Sequence, residues 1–224
     1  MADEWSIVQS LITAGAGLSG VFLGGYMTTR REDKRELLRI EKESGYLAIL
    51  VVAHLDKLAT KCLHVSLDDG TSEGRPAGQD GETCESTTET PTFDPLALGV
   101  DWKVLPPTLM YEILNLPYRI EQLNNHIAGS WEYDDPPEYI EFFWARRFGY
   151  AELGLAVSEL AMQLRKHAKL PIPVPQEGEW NRDACMQEQM DMVAEARKTH
   201  EERCRARHSM QIAQVDSAET AAGS

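Results

Sequence analysis

The chain has 224 residues, of which 42% are hydrophobic and 26% are charged, and its formal net charge is −14. This composition is typical of a globular protein and not of a disordered chain. The surplus of acids argues against nucleic acid as a partner, because phosphate binding needs lysine and arginine on the binding face.

An uncharged segment covers residues 5–29, after a short N-terminal flank of residues 1–4. A helix of these 25 residues spans about 37 Å, which exceeds the ~30 Å thickness of a bilayer core. The segment therefore predicts a transmembrane helix, with the lipid bilayer as its first partner.

Two alternatives for residues 5–29 fit less well. A secretory signal peptide begins with a positive region, but no lysine or arginine precedes this apolar run. A buried helix of a soluble protein would contain five glycines, each of which costs about 1 kcal/mol relative to alanine.

Basic residues follow the predicted span, and none precedes it. The residues that determine the predicted topology are Arg30, Arg31, Lys34 and Arg35. Because positive charge is retained on the cytoplasmic side, we predict a single-pass membrane protein with its N-terminus outside and its C-terminal domain in the cytoplasm.

Small residues recur every four positions within the predicted span, at Ala16, Gly20 and Gly24. Such a row lets a second membrane helix approach closely, which would make the protein a homo-oligomer. The alternative is that glycine is simply tolerated in a membrane helix, and a motif this common does not decide between the two.

The segment from residue 30 to residue 67 is predicted to be one helix, continuous with the span. Its apolar stripe recurs at spacings of 3 or 4, at Leu47, Val51, His54, Leu58, Cys62 and Val65. Residues 46–53 are apolar on all sides, and this favours burial inside a bundle.

Residues 68–95 hold eight acids and one base and so contribute −7 to the net charge. They are rich in Gly, Ser, Thr and Pro and show no apolar period. This composition predicts a disordered acidic loop inside the helical domain.

Two more helices are predicted for the same domain, which we place at residues 30–170. The first carries the most regular apolar stripe, between Leu109 and Ile127, and Pro117 should kink or split it. The second is predicted to begin near Pro137, with Asp134 or Asp135 as its cap, and to end before Pro171.

A proline-rich linker at residues 171–180 precedes a last predicted helix at 181–215 and a disordered tail at 216–224. The predicted fold class is therefore all-α. It consists of one N-terminal transmembrane helix and a cytoplasmic three- or four-helix bundle with a long acidic loop.

The chain contains no signature of catalysis, metal binding or nucleotide binding. Its cysteines are widely spaced and form no CxxC pair; they are Cys62, Cys84, Cys185 and Cys204. We therefore predict no catalytic residue, no cofactor and no metal, and reduced thiols in place of a disulfide framework.

These features favour a membrane-anchored protein that binds or scaffolds an unknown protein partner and is not an enzyme. One alternative is a phage or envelope-associated accessory protein whose helical domain is exported. A second alternative is an enzyme with a site in the bundle core around His54, the histidine on the packed stripe.

Overall fold

The protein is mostly helical, as the sequence predicts. The computed structural model describes the backbone of residues 2–173 and 178–222, and the side chains of residues 30–32, 34–173 and 178–210. Five α-helices make up most of these residues: α1 (Ala2–Leu67), α2 (Pro107–Leu114), α3 (Leu116–Glu132), α4 (Ile140–His167) and α5 (Arg182–Ala222).

Helix α1 confirms the prediction that the residues before and after position 30 form one continuous helix. The predicted span, residues 5–29, lies outside the residues whose side chains are described. Among the described residues, no helix is long and apolar enough to cross a bilayer.

The hydrophobic core forms where the second half of α1 packs against α4. The most deeply buried side chains of α1 include Val51, Leu55 and Cys62, each 0% exposed. From α4 they meet Val157 and Leu164, which are equally buried. Helix α4 also packs against α3 and α5, so it is the element around which the bundle is arranged.

His54 is exposed, which corrects its predicted place on the packed stripe. Seven residues fall about 20° short of two full helical turns, so a stripe with a strict seven-residue repeat drifts around a straight helix. Leu55 takes the buried position at this level of α1 in place of His54.

The apolar run at residues 46–53 is covered on one side only, which corrects the prediction that it is buried all round. Leu47 and Val51 are buried, but Tyr46 is 66% exposed and Ile49 is 56% exposed. An apolar side of α1 is therefore left without a partner inside this chain.

Pro117 splits the predicted helix between Leu109 and Ile127, as expected. Helix α2 ends at Leu114, and α3 begins at Leu116 with Pro117 in its first turn. A proline is tolerated there because the first-turn N–H groups have no partner within the helix.

Helix α4 begins at Ile140, three residues later than Pro137. Its N-cap is Tyr139, which makes no side-chain cap hydrogen bond, and this corrects the prediction of Asp134 or Asp135 as the cap. Asp134 still contacts the first turn, where its Oδ2 accepts a hydrogen bond from the N–H of Phe142 at 2.8 Å. Helix α5 continues to Ala222, through most of the segment predicted as a disordered tail.

Residues 68–95 are folded against the bundle, where the sequence predicts a disordered loop. They begin with a two-stranded antiparallel hairpin, β1 (Thr71–Ser72) and β2 (Arg75–Pro76). Two short 3-10 helices, Leu96–Leu98 and Trp102–Val104, then lead to α2. Composition misses this order because it comes from contacts between the segment and distant helices.

Candidate functional site

The residues predicted to act at the membrane are placed only in part. Ala16, Gly20 and Gly24 lie outside the residues whose side chains are described. The four basic residues that follow the predicted span, Arg30, Arg31, Lys34 and Arg35, all lie exposed on α1.

The most concentrated polar site in the described residues is a carboxylate at the end of α1. Asp68 is the first residue after the helix, and its side chain is only 1% exposed. Its two oxygens accept five hydrogen bonds: from the backbone N–H groups of Gly70, Thr87 and Thr88, from the hydroxyl of Thr87, and from Arg146, at distances of 2.9 to 3.2 Å.

Arg146 supplies the positive charge at this site from the middle of α4. Its side chain is 2% exposed, and its Nη2 lies 3.2 Å from Asp68 Oδ2. The same Nη2 also donates to the carbonyl oxygen of Thr88, while its Nε has no hydrogen-bond partner. Burial lowers the pKa of Arg146, and the neighbouring Asp68 carboxylate opposes that change.

This arrangement holds the acidic segment in place and leaves no group free for proton transfer. The backbone at Thr87 and Thr88 lies about twenty residues along the chain from Asp68, and both ends of the segment meet at the one carboxylate. With five donors around it, Asp68 has no free lone pair aimed at a substrate. The site therefore has a structural role and anchors the loop to the bundle.

The acidic segment, residues 68–95, presents carboxylates to solvent. Its exposed acids include Asp69, Glu73, Asp80, Glu82, Glu85 and Glu89. Asp80 is held by local hydrogen bonds, above all from the hydroxyl of Thr83, and these lower its pKa. The loop is thus an ordered anionic surface.

A second polar cluster joins α1, α4 and α5. Asp56 of α1 forms ion pairs with Arg165 of α4 and with Arg182 of α5. The hydroxyl of Ser158 accepts a hydrogen bond from Arg182 at 2.9 Å and donates one to Asp183 at 2.8 Å. Both of these hydrogen bonds of Ser158 are to charged groups and neither is to a histidine, so no base is present to activate the serine as a nucleophile. The cluster instead aligns the three helices.

The histidines do not assemble a site either. His54 is exposed on α1, so it does not lie in the bundle core where the sequence analysis places it. His64, His126 and His167 are exposed as well. Within the described side chains, no group of three or more His, Cys, Asp or Glu residues is arranged to hold a metal ion.

All four cysteines are free thiols. Burial raises the pKa of Cys62 to about 12, so this thiol stays protonated and unreactive at neutral pH. Cys204 is the exposed one, on the part of α5 that extends beyond the bundle.

Sequence reasoning missed Asp68 and Arg146. Asp68 was counted among the acids of the segment that follows α1, where nothing marked it as buried. Arg146 gives a weak signal, because it and Arg147 interrupt an otherwise apolar stretch of α4 between Phe143 and Tyr150.

Comparison with known proteins finds no relative: no family model, no curated protein and no solved structure matches this chain.

Proposed function

We propose that this protein is a single-pass membrane scaffold, in which α1 both crosses the bilayer and forms the first helix of a cytoplasmic bundle. The observation that carries the proposal is the continuity of α1 from Ala2 to Leu67. A helix of 66 residues is about 100 Å long. That length accommodates a membrane crossing, an exposed stretch and a core-forming stretch in series.

The order of side chains along α1 supports this division. Residues 5–29 carry no charge, most of residues 30–43 are charged, and the buried apolar residues of α1 begin at Leu47. An uninterrupted helix transmits its orientation from one part to the next, so the bundle would stand at a defined distance from the bilayer.

The exposed basic residues after position 29 support a cytoplasmic bundle. Six lysines and arginines occur between residues 30 and 42, and none occurs before residue 30. The bias of basic residues in the segments that flank a membrane helix sets its orientation.

The chemistry of the bundle supports binding over catalysis. The carboxylates of Asp68 and Asp56 are engaged in internal ion pairs, and the exposed surfaces of the bundle are charged or apolar. A protein partner is therefore the expected ligand of the domain.

The proposal is tested by extracting membranes with alkaline carbonate after expression of the full chain. The wild-type protein should stay in the membrane pellet, and Val21→Arg with Leu23→Arg should move to the soluble fraction, because each arginine near the centre of a span costs about 3 kcal/mol on insertion scales. The control Met192→Arg, at an exposed position of α5, should stay in the pellet.

Orientation is tested with two C-terminal fusions, one fluorescent only in the cytoplasm and one enzymatically active only outside it. The proposal expects fluorescence and no external activity. Extraction of the wild-type chain by carbonate would overturn membrane anchoring, and an active external reporter would instead support an exported accessory protein.

A further inference from the structure

Helix α1 carries a second face that no other part of the described chain covers. The side chains on it are apolar near the bundle, where Leu38 is 49% exposed and Ile49 is 56% exposed. Tyr46 borders the same face and is 66% exposed. A helix segment that is apolar on all sides is usually buried on all sides, so this face lacks a partner.

The same face is basic. Its positions recur at spacings of 4 and 3 along α1 and form what we call the basic stripe: Arg31, Arg35, Leu38, Lys42, Gly45 and Ile49. Arg35 and Lys42 have no carboxylate within ion-pair distance among the described side chains. The neighbouring acids Glu41 and Glu43 are engaged instead with Lys169 and Arg39, each at 2.8 Å.

The backbone of the stripe is open to a neighbour at one point. A Cβ atom added to Gly45 would meet nothing within 4 Å. A second helix can approach α1 closely there, because glycine has no side chain to keep the two backbones apart.

We propose that the basic stripe docks an acidic amphipathic helix of a partner protein. The partner's apolar side chains would pack on Leu38, Tyr46 and Ile49, and its carboxylates would pair with Arg35 and Lys42. The two helices would thus pack side by side, with apolar side chains along the contact line between them. Charge pairs beside that line would select the partner.

Charge argues against a second copy of this chain as the occupant. Two parallel copies in register would place Arg31, Arg35 and Lys42 against the same residues of the other copy. Like charges brought together in this way disfavour the pair.

Distance argues against the bilayer surface as the occupant. Ile49 lies 20 residues after Thr29, or about 30 Å along the helix.

The proposed membrane span, on which this step rests, narrows the class of partner protein. Gly20 and Gly24 precede Leu38 and Lys42 by 18 residues, which is about five helical turns. The small-residue row and the basic stripe therefore fall on one face of α1. A partner with its own membrane helix, followed by an acidic juxtamembrane helix, fits both parts of this face.

The test measures binding of a synthetic fluorescent helix to the full chain in non-ionic detergent. The probe has leucine at the positions that would face α1 and glutamate at the positions on either side of them. The matched probe has lysine in place of each glutamate. Fluorescence anisotropy at low salt should show the glutamate probe binding at least about tenfold more tightly than the lysine probe, with a difference that shrinks as salt is added.

Lys42→Glu and Tyr46→Asp should each weaken the glutamate probe about tenfold or more, the loss expected for a charge pair or an apolar anchor at a docking centre. Matched controls on other faces are Lys166→Glu and Tyr118→Asp; both residues are exposed, and they should leave binding unchanged. Equal binding of the two probes, or equal loss in the controls, overturns the proposal.

Two further outcomes would assign the stripe differently and also overturn the proposal. Self-association that Tyr46→Asp abolishes would make a second copy the occupant, and binding to anionic vesicles that Tyr46→Asp abolishes would make the lipid surface the occupant. The probe assay needs no bilayer, so its failure is distinct from failure of membrane anchoring in the carbonate test.

Discussion

The buried pair of Asp68 and Arg146 is the residue-scale feature on which the loop depends. A buried ion pair gains little net free energy over an apolar pair, but removal of one partner leaves a charge without compensation. Here Asp68 also anchors three backbone N–H groups of the acidic segment. Loss of the pair therefore disturbs both the core and the loop.

Replacement of Arg146 by methionine should lower the free energy of unfolding by about 3 kcal/mol, toward the lower end for a broken buried pair because Asp68 keeps its other donors. Urea denaturation of the full chain in detergent measures the change. The control Arg39→Ala removes an exposed pair with Glu43 and should cost less than about 0.5 kcal/mol. Similar losses in the two variants would contradict a special role for Arg146.

Alkaline pH should destabilise the fold through Cys62 and Tyr150. Burial raises the pKa of each group to about 12 in the folded state, from ordinary values of 9.0 for the thiol and 10.0 for the phenol. The unfolded chain therefore releases these protons at a lower pH than the folded chain does. Stability from this source is complete below about pH 9 and is lost as pH rises toward 12.

The measurement is the free energy of unfolding at intervals from pH 8 to pH 11. Cys62→Ala and Tyr150→Phe should each fall less steeply with pH than the wild type, because each variant removes one of the two groups. Parallel curves for all three proteins would show that other groups cause the alkaline loss.

At the scale of elements, small residues set how closely the helices pack. Gly154 lies on α4 where it meets both α1 and α5. A Cβ added there would contact the sulfur of Met186 and would lie 3.0 Å from the Cβ of Cys62. The close approach of three helices thus depends on the missing side chain.

Gly154→Ala should lower the melting temperature even though alanine favours helices by about 1 kcal/mol, because the added methyl group overpacks the junction. Gly129→Ala is the matched control, since a Cβ at this exposed position of α3 meets nothing within 4 Å. That variant should gain about 0.5–1 kcal/mol. Calorimetry measures the melting temperature of both variants. A higher melting temperature for Gly154→Ala would show that the contact between the three helices can accommodate the methyl group.

At the scale of the whole molecule, α4 organises the fold by packing against every other long helix. Helix α5 packs on the bundle from Arg182 as far as His200, whose ring contacts Trp144 of α4. Met186 and Val193 are buried, and the ion pair of Arg182 with Asp56 reaches α1. From residue 201 to residue 210 all described side chains are exposed.

A chain that ends at Glu202 should therefore unfold within about 1 °C of the full chain, since it keeps every buried contact of α5. A chain that ends at Gly178 loses Arg182, Met186 and Val193 and should melt at least about 8 °C lower. Thermal unfolding followed by circular dichroism compares them, and equal melting temperatures would mean that α5 is not part of the cooperative unit.

Local sequence by itself determined the helical class, the continuity of α1 and the break at Pro117. These features depend on backbone preference and on apolar spacing among near neighbours, which any window of the chain displays. The uncharged segment at residues 5–29 and the basic residues after it belong to the same kind of local signal.

Only the tertiary structure decided the rest. Asp68 meets Arg146 across 78 residues of chain, and that long-range pair orders an acidic segment whose composition alone predicts disorder. The exposure of His54, and the uncovered face that contains Ile49, depend on where α4 runs along α1. A helical pattern shows which residues share a face, but the neighbouring helices determine which face is buried.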